Sequence, residues 1–282
     1  MINATPRHRK FPIRLSIFFL AVVGVFFIAF THIGASNNSN SDNQPDKKQS
    51  NLASIELPEK TDFPEITDSA EIEEKTAKIV YLTFDDGPGP YTAKLLDVLK
   101  KYNVKVTFFV TGAGDDSLLT REYNEGHAIG LHTFTHSYSY VYSSVGNFFS
   151  DLYRVQDRVR EATGYTSTLM RFPGGSSNGV SASYDGGTHI MSTLASEVQS
   201  RGFTYFDWNV SSGDAGGATS PSEVYSNVIE NLKPEYSVVL QHDVKEFSVD
   251  AVEDIIKYGQ KNGYTFKRLE PDSFAAHHGI NN

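Results

Sequence analysis

The chain has no cysteine among its 282 residues, so no disulfide can staple it and any domain it forms stands on its apolar core alone. It has a single tryptophan, Trp208, and no internal repeat is visible. Basic residues are sparse beyond the amino-terminal stretch. Arg7, Arg9, Lys10 and Arg14 lie within the first 35 residues, where there is no acidic residue; the remainder carries 21 Lys and Arg against 34 Asp and Glu, a net charge of −13. Such a body is a poor partner for nucleic acid or an anionic lipid surface, and it suits a neutral or cationic polymer.

Long apolar runs are scarce as well, with one exception, Leu15 to Phe30. Extended by the weaker stretch to Ala35, it provides about 20 residues, which at ~1.5 Å each reach across a hydrocarbon core of about 30 Å. The basic flank 1–14 stays cytoplasmic, and the chain beyond the apolar run lies outside the cell. This predicts 15–35 as a transmembrane signal-anchor of a single-pass cell-membrane protein with an extracellular body. Gly34-Ala35-Ser36 also fits a cleavage point, in which case the mature chain is secreted. Residues 36–76 are rich in Asn, Ser, Asp, Glu and Lys, with Phe63 their one aromatic residue. They hold too little apolar surface to offset their ordering entropy, which predicts a flexible linker.

From residue 77 onward strand-like and helix-like patterns alternate. Strands are predicted at 78–84, 105–110, 128–132, 168–172, 203–208, 237–241 and 265–268, and helices at 92–101, 144–163, 188–201, 222–231 and 249–262. The segment between Val110 and His127 reads as short for a full helix and is expected to open one side of the fold. Alternation of this kind argues a parallel α/β architecture, a closed barrel or an open sheet, with reactive groups at the carboxyl ends of the strands.

Five clusters of unusual polar residues fall at those ends. The first strand runs Tyr81-Leu-Thr-Phe-Asp85-Asp86-Gly87-Pro88: two adjacent carboxylates where a buried strand gives way to a loop. Carboxylates held together repel, and a cation relieves them; taken alone, the pair reads first as a solvated turn, and the rest of the chain reverses that. His132 and His136 share a face if the segment turns helically, or meet across a tight loop. Two His and one carboxylate make a common set of ligands for a divalent metal. His127 nearby reads as a core residue or a support for the site. Arg171-Phe-Pro173-Gly174-Gly175 joins an Arg able to clamp a carboxylate with a turn of bare backbone N–H groups. Asp207-Trp208 leads on to Asp214, and Leu240-Gln-His242 carries a histidine to the end of a buried strand.

These five motifs, in this order, resemble the polysaccharide deacetylases, the family 4 carbohydrate esterases with a NodB homology domain. The resemblance covers about residues 77–270, and its layout is closest to peptidoglycan N-acetylglucosamine deacetylases. It implies a distorted (β/α) barrel over 77–282 and a divalent metal, zinc first, with Co2+, Ni2+, Mn2+ or Fe2+ also suited to the donors. It implies that Asp86, His132 and His136 hold the metal and that Asp85 is the general base. His242 would protonate the leaving amine, Arg171 orient Asp85, and Asp214 keep His242 protonated. Pro173, Gly174, Gly175, Trp208 and Leu240 would face the substrate, with a backbone N–H of the turn, that of Gly174, at the oxyanion. The implied partner is cell-wall glycan, and the expected form is a monomeric catalytic domain.

Two positions depart from the family pattern. Gly174 stands where an aromatic is usual, and Ala215 where a Trp is usual. Both predict a differently walled groove, with Trp208 or the tyrosines Tyr138, Tyr140 and Tyr142 as replacement stacking surface or as packing. Two other activities fit parts of the pattern. An O-acetyl esterase on acetylated xylan would use the same ligands, and a non-catalytic glycan-binding module would be expected to lack a ligand or the base. A phosphatase with an Asp nucleophile needs its two Asp one residue apart, and here they are adjacent.

Overall fold

From Ile79 to Phe84 the chain is apolar at every position but Thr83, and a run with no polar face can settle only as a strand buried on both sides. In the computed structural model, which describes residues 77–282, that run is β1 (Lys78–Asp85). The anchor and linker expected over 1–76 lie outside the described residues; among the described residues no helix is long and apolar enough to cross a membrane. After β1 come β2 (Thr107–Val110), β3 (Ala128–Leu131), β4 (Leu169–Met170), β5 (Thr204–Tyr205), β6 (Val210–Ser211), β7 (Tyr236–His242) and β8 (Tyr264–Phe266). All pair in parallel, in the order β5-β4-β3-β2-β1-β7-β6. β8 pairs with Lys78–Val80 at the start of β1, and β2 with Thr83–Asp85 at its end, so both share the edge that β7 leaves free.

The connectivity forces the sheet to curl. Laid flat, seven strands would set β5 and β6 roughly 29 Å apart at about 4.8 Å per step. The chain joins those two strands through Phe206–Asn209, and a link of that length spans at most about 17 Å. The result is a curled, open parallel half-barrel. Residues 276–278 cover the free edge beyond β5: Asp207 N–H donates to the Ala276 carbonyl at 2.8 Å, and the His277 ring stacks on Tyr205 with centroids 4.0 Å apart.

The outer face is covered by α1 (Thr92–Tyr102), α2 (Asp116–Asn124), α3 (Tyr138–Val141), α4 (Val145–Thr163), α5 (Ile190–Ser200), α6 (Pro221–Ile229) and α7 (Glu246–Lys261). Their boundaries follow local chemistry. The Ser144 side chain caps α4, whose chain turns off at Gly164 in the left-handed region, and α6 opens on a Ser220–Glu223 capping box with Pro221 in its first turn. Strand alternation sorts side chains into two layers. Val80, Leu82 and Phe84 join Phe108, Ile129 and Val239 against the helices, while Ile79 and Tyr81 join Phe109, Phe206 and Val238 inside the curl. By the same alternation Thr83, Asp85, Leu240 and His242 face inward, and Asp85 and His242 are register partners on neighbouring strands.

Three elements correct the sequence reading: α2, the single-turn α3 and β6. The segment after Val110 does form a helix, α2, started by the Asp115 side chain accepting the Ser117 N–H. The stretch after Trp208 contributes β6, too short to carry a periodic signal.

His127 belongs to the core, at the amino end of β3. Its Nδ1 accepts the Val106 N–H at 3.2 Å and its ring meets Phe108 edge-on. Burial first, then the Lys105 charge, push its pKa down to about 4. In the unfolded chain a histidine gains its proton below about 6.5, so the unfolded state binds more protons as pH falls from there toward 4 and folding stability drops. In urea unfolding of the full chain, wild type should lose about 2–3 kcal/mol more than His127→Gln between pH 7 and pH 4.5. Equal losses would rule out this titration.

Candidate active site

The largest fully buried side chain in the described domain is a charged one, Arg171, just past the end of β4. Alternation turns Phe172 into the helix-side core and Arg171 into the curl. There the guanidinium donates to Asp85 Oδ1 at 2.8 Å, to Thr83 Oγ1 at 2.7 Å, and to the carbonyls of Phe206 and Asp207 at 2.9 Å. The Phe109 ring lies under it, 4.2 Å from its centre. Asp85 is thereby held by one oxygen, and Oδ2 remains turned toward His132 Nε2, 3.7 Å away.

Asp86 follows in the left-handed region at φ 75°, a conformation an Asp tolerates better than most residues, and this swings it to the same side as Asp85. Its Oδ1 lies 3.7 Å from His132 Nε2 and 3.5 Å from His136 Nε2, and it is buried without a hydrogen-bond partner. A loop, and not a helix, brings the two histidines together: Thr133 and His136 have φ 61° and 51°. Asp151 on α4 pins that loop, accepting the N–H groups of Phe134 and Thr135 at 2.8 and 2.9 Å. His132 Nδ1 donates to the Arg171 carbonyl at 2.8 Å, which leaves the Nε2 lone pair for a ligand.

These three donors fit a divalent cation. All lie within 4.8 Å of one another. Two ligands each about 2.1 Å from a shared ion at the tetrahedral angle stand about 3.4 Å apart, close to the spacings seen. The orphaned Asp86 oxygen is an acceptor awaiting a positive partner.

Across the cavity His242 ends β7. Its Nδ1 bonds Asp214 Oδ1 at 2.8 Å, and Asp214 Oδ2 accepts the His242 N–H and the Ser248 hydroxyl. Burial opposes the charged form of His242, but the Asp214 hydrogen bond and the charges of Asp85, Asp214 and Asp86 outweigh it and hold its pKa above the ordinary imidazole value. Asp214 is also opposed by burial, yet its bonds to His242 and Ser248 keep its pKa low.

A cavity of about 400 Å³ joins these groups, lined further by Tyr138, Gly174, Trp208, Ala215, Leu240 and Lys245. Pro173 and Gly175 do not line it. The Pro173 ring is buried with its carbonyl taken by the Tyr142 hydroxyl, and the Gly175 N–H closes a turn onto the Phe172 carbonyl. The Gly174 N–H has no partner among the described residues. Tyr142 is core, Tyr140 is exposed, and Tyr138 reaches the wall. Tyr138 also explains the glycine at 174: φ is 76°, and a Cβ there would overlap the Tyr138 hydroxyl.

Sequence reasoning missed Asp151, Ser248 and Lys245. Only Asp151 was signalled, as an acid on the apolar face of the predicted helix 144–163, in line with Phe148, Leu152 and Val155.

The buried ion pair sets a stability test. Arg171→Met leaves the Asp85 carboxylate buried and unpaired, which should cost about 3–5 kcal/mol in denaturant unfolding of the full chain. A loss below about 1 kcal/mol would mean that Asp85 is otherwise compensated.

Comparison with known proteins agrees with this geometry. A family model described as polysaccharide deacetylase matches residues 72–185. A peptidoglycan-N-acetylglucosamine deacetylase of Bacillus cereus is 34% identical over 207 residues, 71% of this chain and 72% of that one. Among solved structures, the catalytic domain of a peptidoglycan N-acetylglucosamine deacetylase from Eubacterium rectale is 50% identical, with a TM-score of 0.71 over 73% of this chain and 94% of that chain. The polysaccharide deacetylase Bc1974 from Bacillus cereus is 33% identical, with a TM-score of 0.61 over 72% of this chain and 96% of that one. With the motif residues gathered at the strand ends of a curled parallel sheet, the chain belongs to the polysaccharide deacetylase family.

Proposed function

We propose that this enzyme removes N-acetyl groups from N-acetylglucosamine residues of cell-wall peptidoglycan, or a closely related polysaccharide, with a divalent metal, zinc first, on Asp86, His132 and His136. The observation that carries the reading is the meeting of that donor set, a one-armed carboxylate and a carboxylate-backed histidine in one cavity. The peptidoglycan deacetylases among its relatives support the substrate. The run 15–35 supports an anchored position at the outer face of the cell membrane, where such a glycan lies.

The cation, when bound, lends acidity to a water and polarises the acetamide carbonyl. Asp85 takes the water's proton at Oδ2, because Arg171 occupies Oδ1. The free N–H of Gly174 faces the carbonyl oxygen as it gains charge. His242 delivers a proton from Nε2 to the departing nitrogen, since Asp214 holds Nδ1. A general acid in this position is worth about 10²–10⁴ in rate. Trp208 and Tyr138 offer ring surface to the sugar.

The full chain should release acetate from N-acetylated peptidoglycan, lose this with chelator and regain it with zinc. Asp85→Asn should abolish release while retaining bound metal, and His132→Ala should lose the metal. Acetate from acetylated xylan but not from peptidoglycan would reassign the chain as an O-acetyl esterase; acetate from neither, with metal bound, would leave a glycan-binding module.

The pH profile gives a second test. The acid role needs protonated His242, so rate falls as pH rises through its raised pKa. Asp214→Asn removes a charge that raises that pKa, so the alkaline limb of kcat should move to lower pH. A limb unmoved by this substitution would assign the proton to another group.

A further inference from the structure

The charges around the cavity balance in pairs, with one left over. Asp85 faces Arg171, Asp214 faces His242, and Asp86 with His132 and His136 forms the cation site. Lys245, in the turn between β7 and α7, is the one Lys or Arg lining the cavity. It has no carboxylate within 4.0 Å among the described residues; its ammonium donates to the Asp214 main-chain carbonyl, a neutral acceptor. An ammonium has three donors, so two remain for a ligand. Beside that carbonyl, Ala215 lines the same wall with only a methyl group. This patch of positive charge stands in a described domain rich in acidic groups, which otherwise repels anions.

We propose that Lys245 selects for a carboxylate carried by the glycan next to the acetamide that is cleaved, and so sets a preference for acidic over neutral N-acetylated polymers. The inference rests on the deacetylase reading and names its substrate class more finely. In peptidoglycan such a carboxylate has two sources, the lactyl ether of the neighbouring sugar when its peptide is absent and the stem peptide when it is present. A charge-assisted hydrogen bond at a half-buried site is worth about tenfold in affinity.

The test uses the full chain carrying Asp85→Asn, which blocks turnover, with the fluorescence of Trp208 as reporter, since this one tryptophan lines the same cavity. The probes are N-acetylglucosaminyl-N-acetylmuramic acid, the same disaccharide bearing its tetrapeptide, and neutral di-N-acetylchitobiose. A carboxylate-bearing probe should bind about tenfold tighter than chitobiose at low salt, and the margin should shrink as ionic strength rises. Adding Lys245→Met should erase the margin and Lys245→Arg should retain most of it. A margin on the peptide-free disaccharide alone assigns the lactyl carboxylate, a margin on the tetrapeptide probe alone assigns the stem, and a margin on both means that Lys245 accepts a carboxylate from either source. A merely structural Lys245 would shift all probes together and leave the ratio unchanged. Equal binding of acidic and neutral probes, or a margin that survives Lys245→Met, would overturn the proposal. Failure of wild type to release acetate would overturn the deacetylase reading and not this one, because binding is read without turnover.

Discussion

One buried guanidinium organises the strand ends. Taking Arg171 out of water is costly, and the fold meets that cost with hydrogen bonds from two adjoining regions and a ring face. Its side chain reaches β1 through Thr83 and Asp85 and the end of β5 through two carbonyls, while its own carbonyl fixes the tautomer of His132 after β3. Asp85 and His132 are therefore held by opposite ends of a single residue. Neither can move far without disturbing the other, which is the kind of rigidity that positioned chemistry requires.

The strands and the residues at their ends were largely legible because a parallel sheet covered on both faces leaves polar side chains one place to gather. Asp85 and His242 could be placed from alternation alone. What could not be read were interactions made across the fold. The glycine after Asp86 looked like a turn breaker, yet the tighter reason is Asp243, whose carboxylate would overlap a Cβ at Gly87. The glycine at 174 was legible only as a departure, and Tyr138, at the start of α3, accounts for it. β6 and residues 276–278 carry no periodic signal, since two-residue strands and edge-covering segments are defined by what lies beside them. Lys245 reads in sequence as a solvated residue ahead of a helix, and only the cavity makes it distinctive.

Asp207 shows how the loops share one support. Its carboxylate accepts the Ser176 N–H and hydroxyl and the His278 N–H, while its carbonyl serves Arg171. His278 Nε2 bonds the Trp208 carbonyl at 2.6 Å, and its ring meets the Trp208 indole edge-on at 4.6 Å. The wall carrying the tryptophan, the turn carrying Gly174 and the segment covering the open edge thus form one polar cluster. The open side of the curl is closed by side chains where backbone pairing runs out.

The pairing of β1 bears on how the domain comes to exist. The first strand of the described domain is completed by β7 and β8, with Thr83 donating to the carbonyl of Val239 across 156 positions of chain. Contacts that distant are entropically late. While the chain is being synthesised, β1 has one neighbour at most and Asp85 has no His242 beside it. The domain therefore completes only after nearly all of it is available, and Asp85 meets His242 in the same closing event. A partly made chain has no working site, so activity arrives with the finished fold.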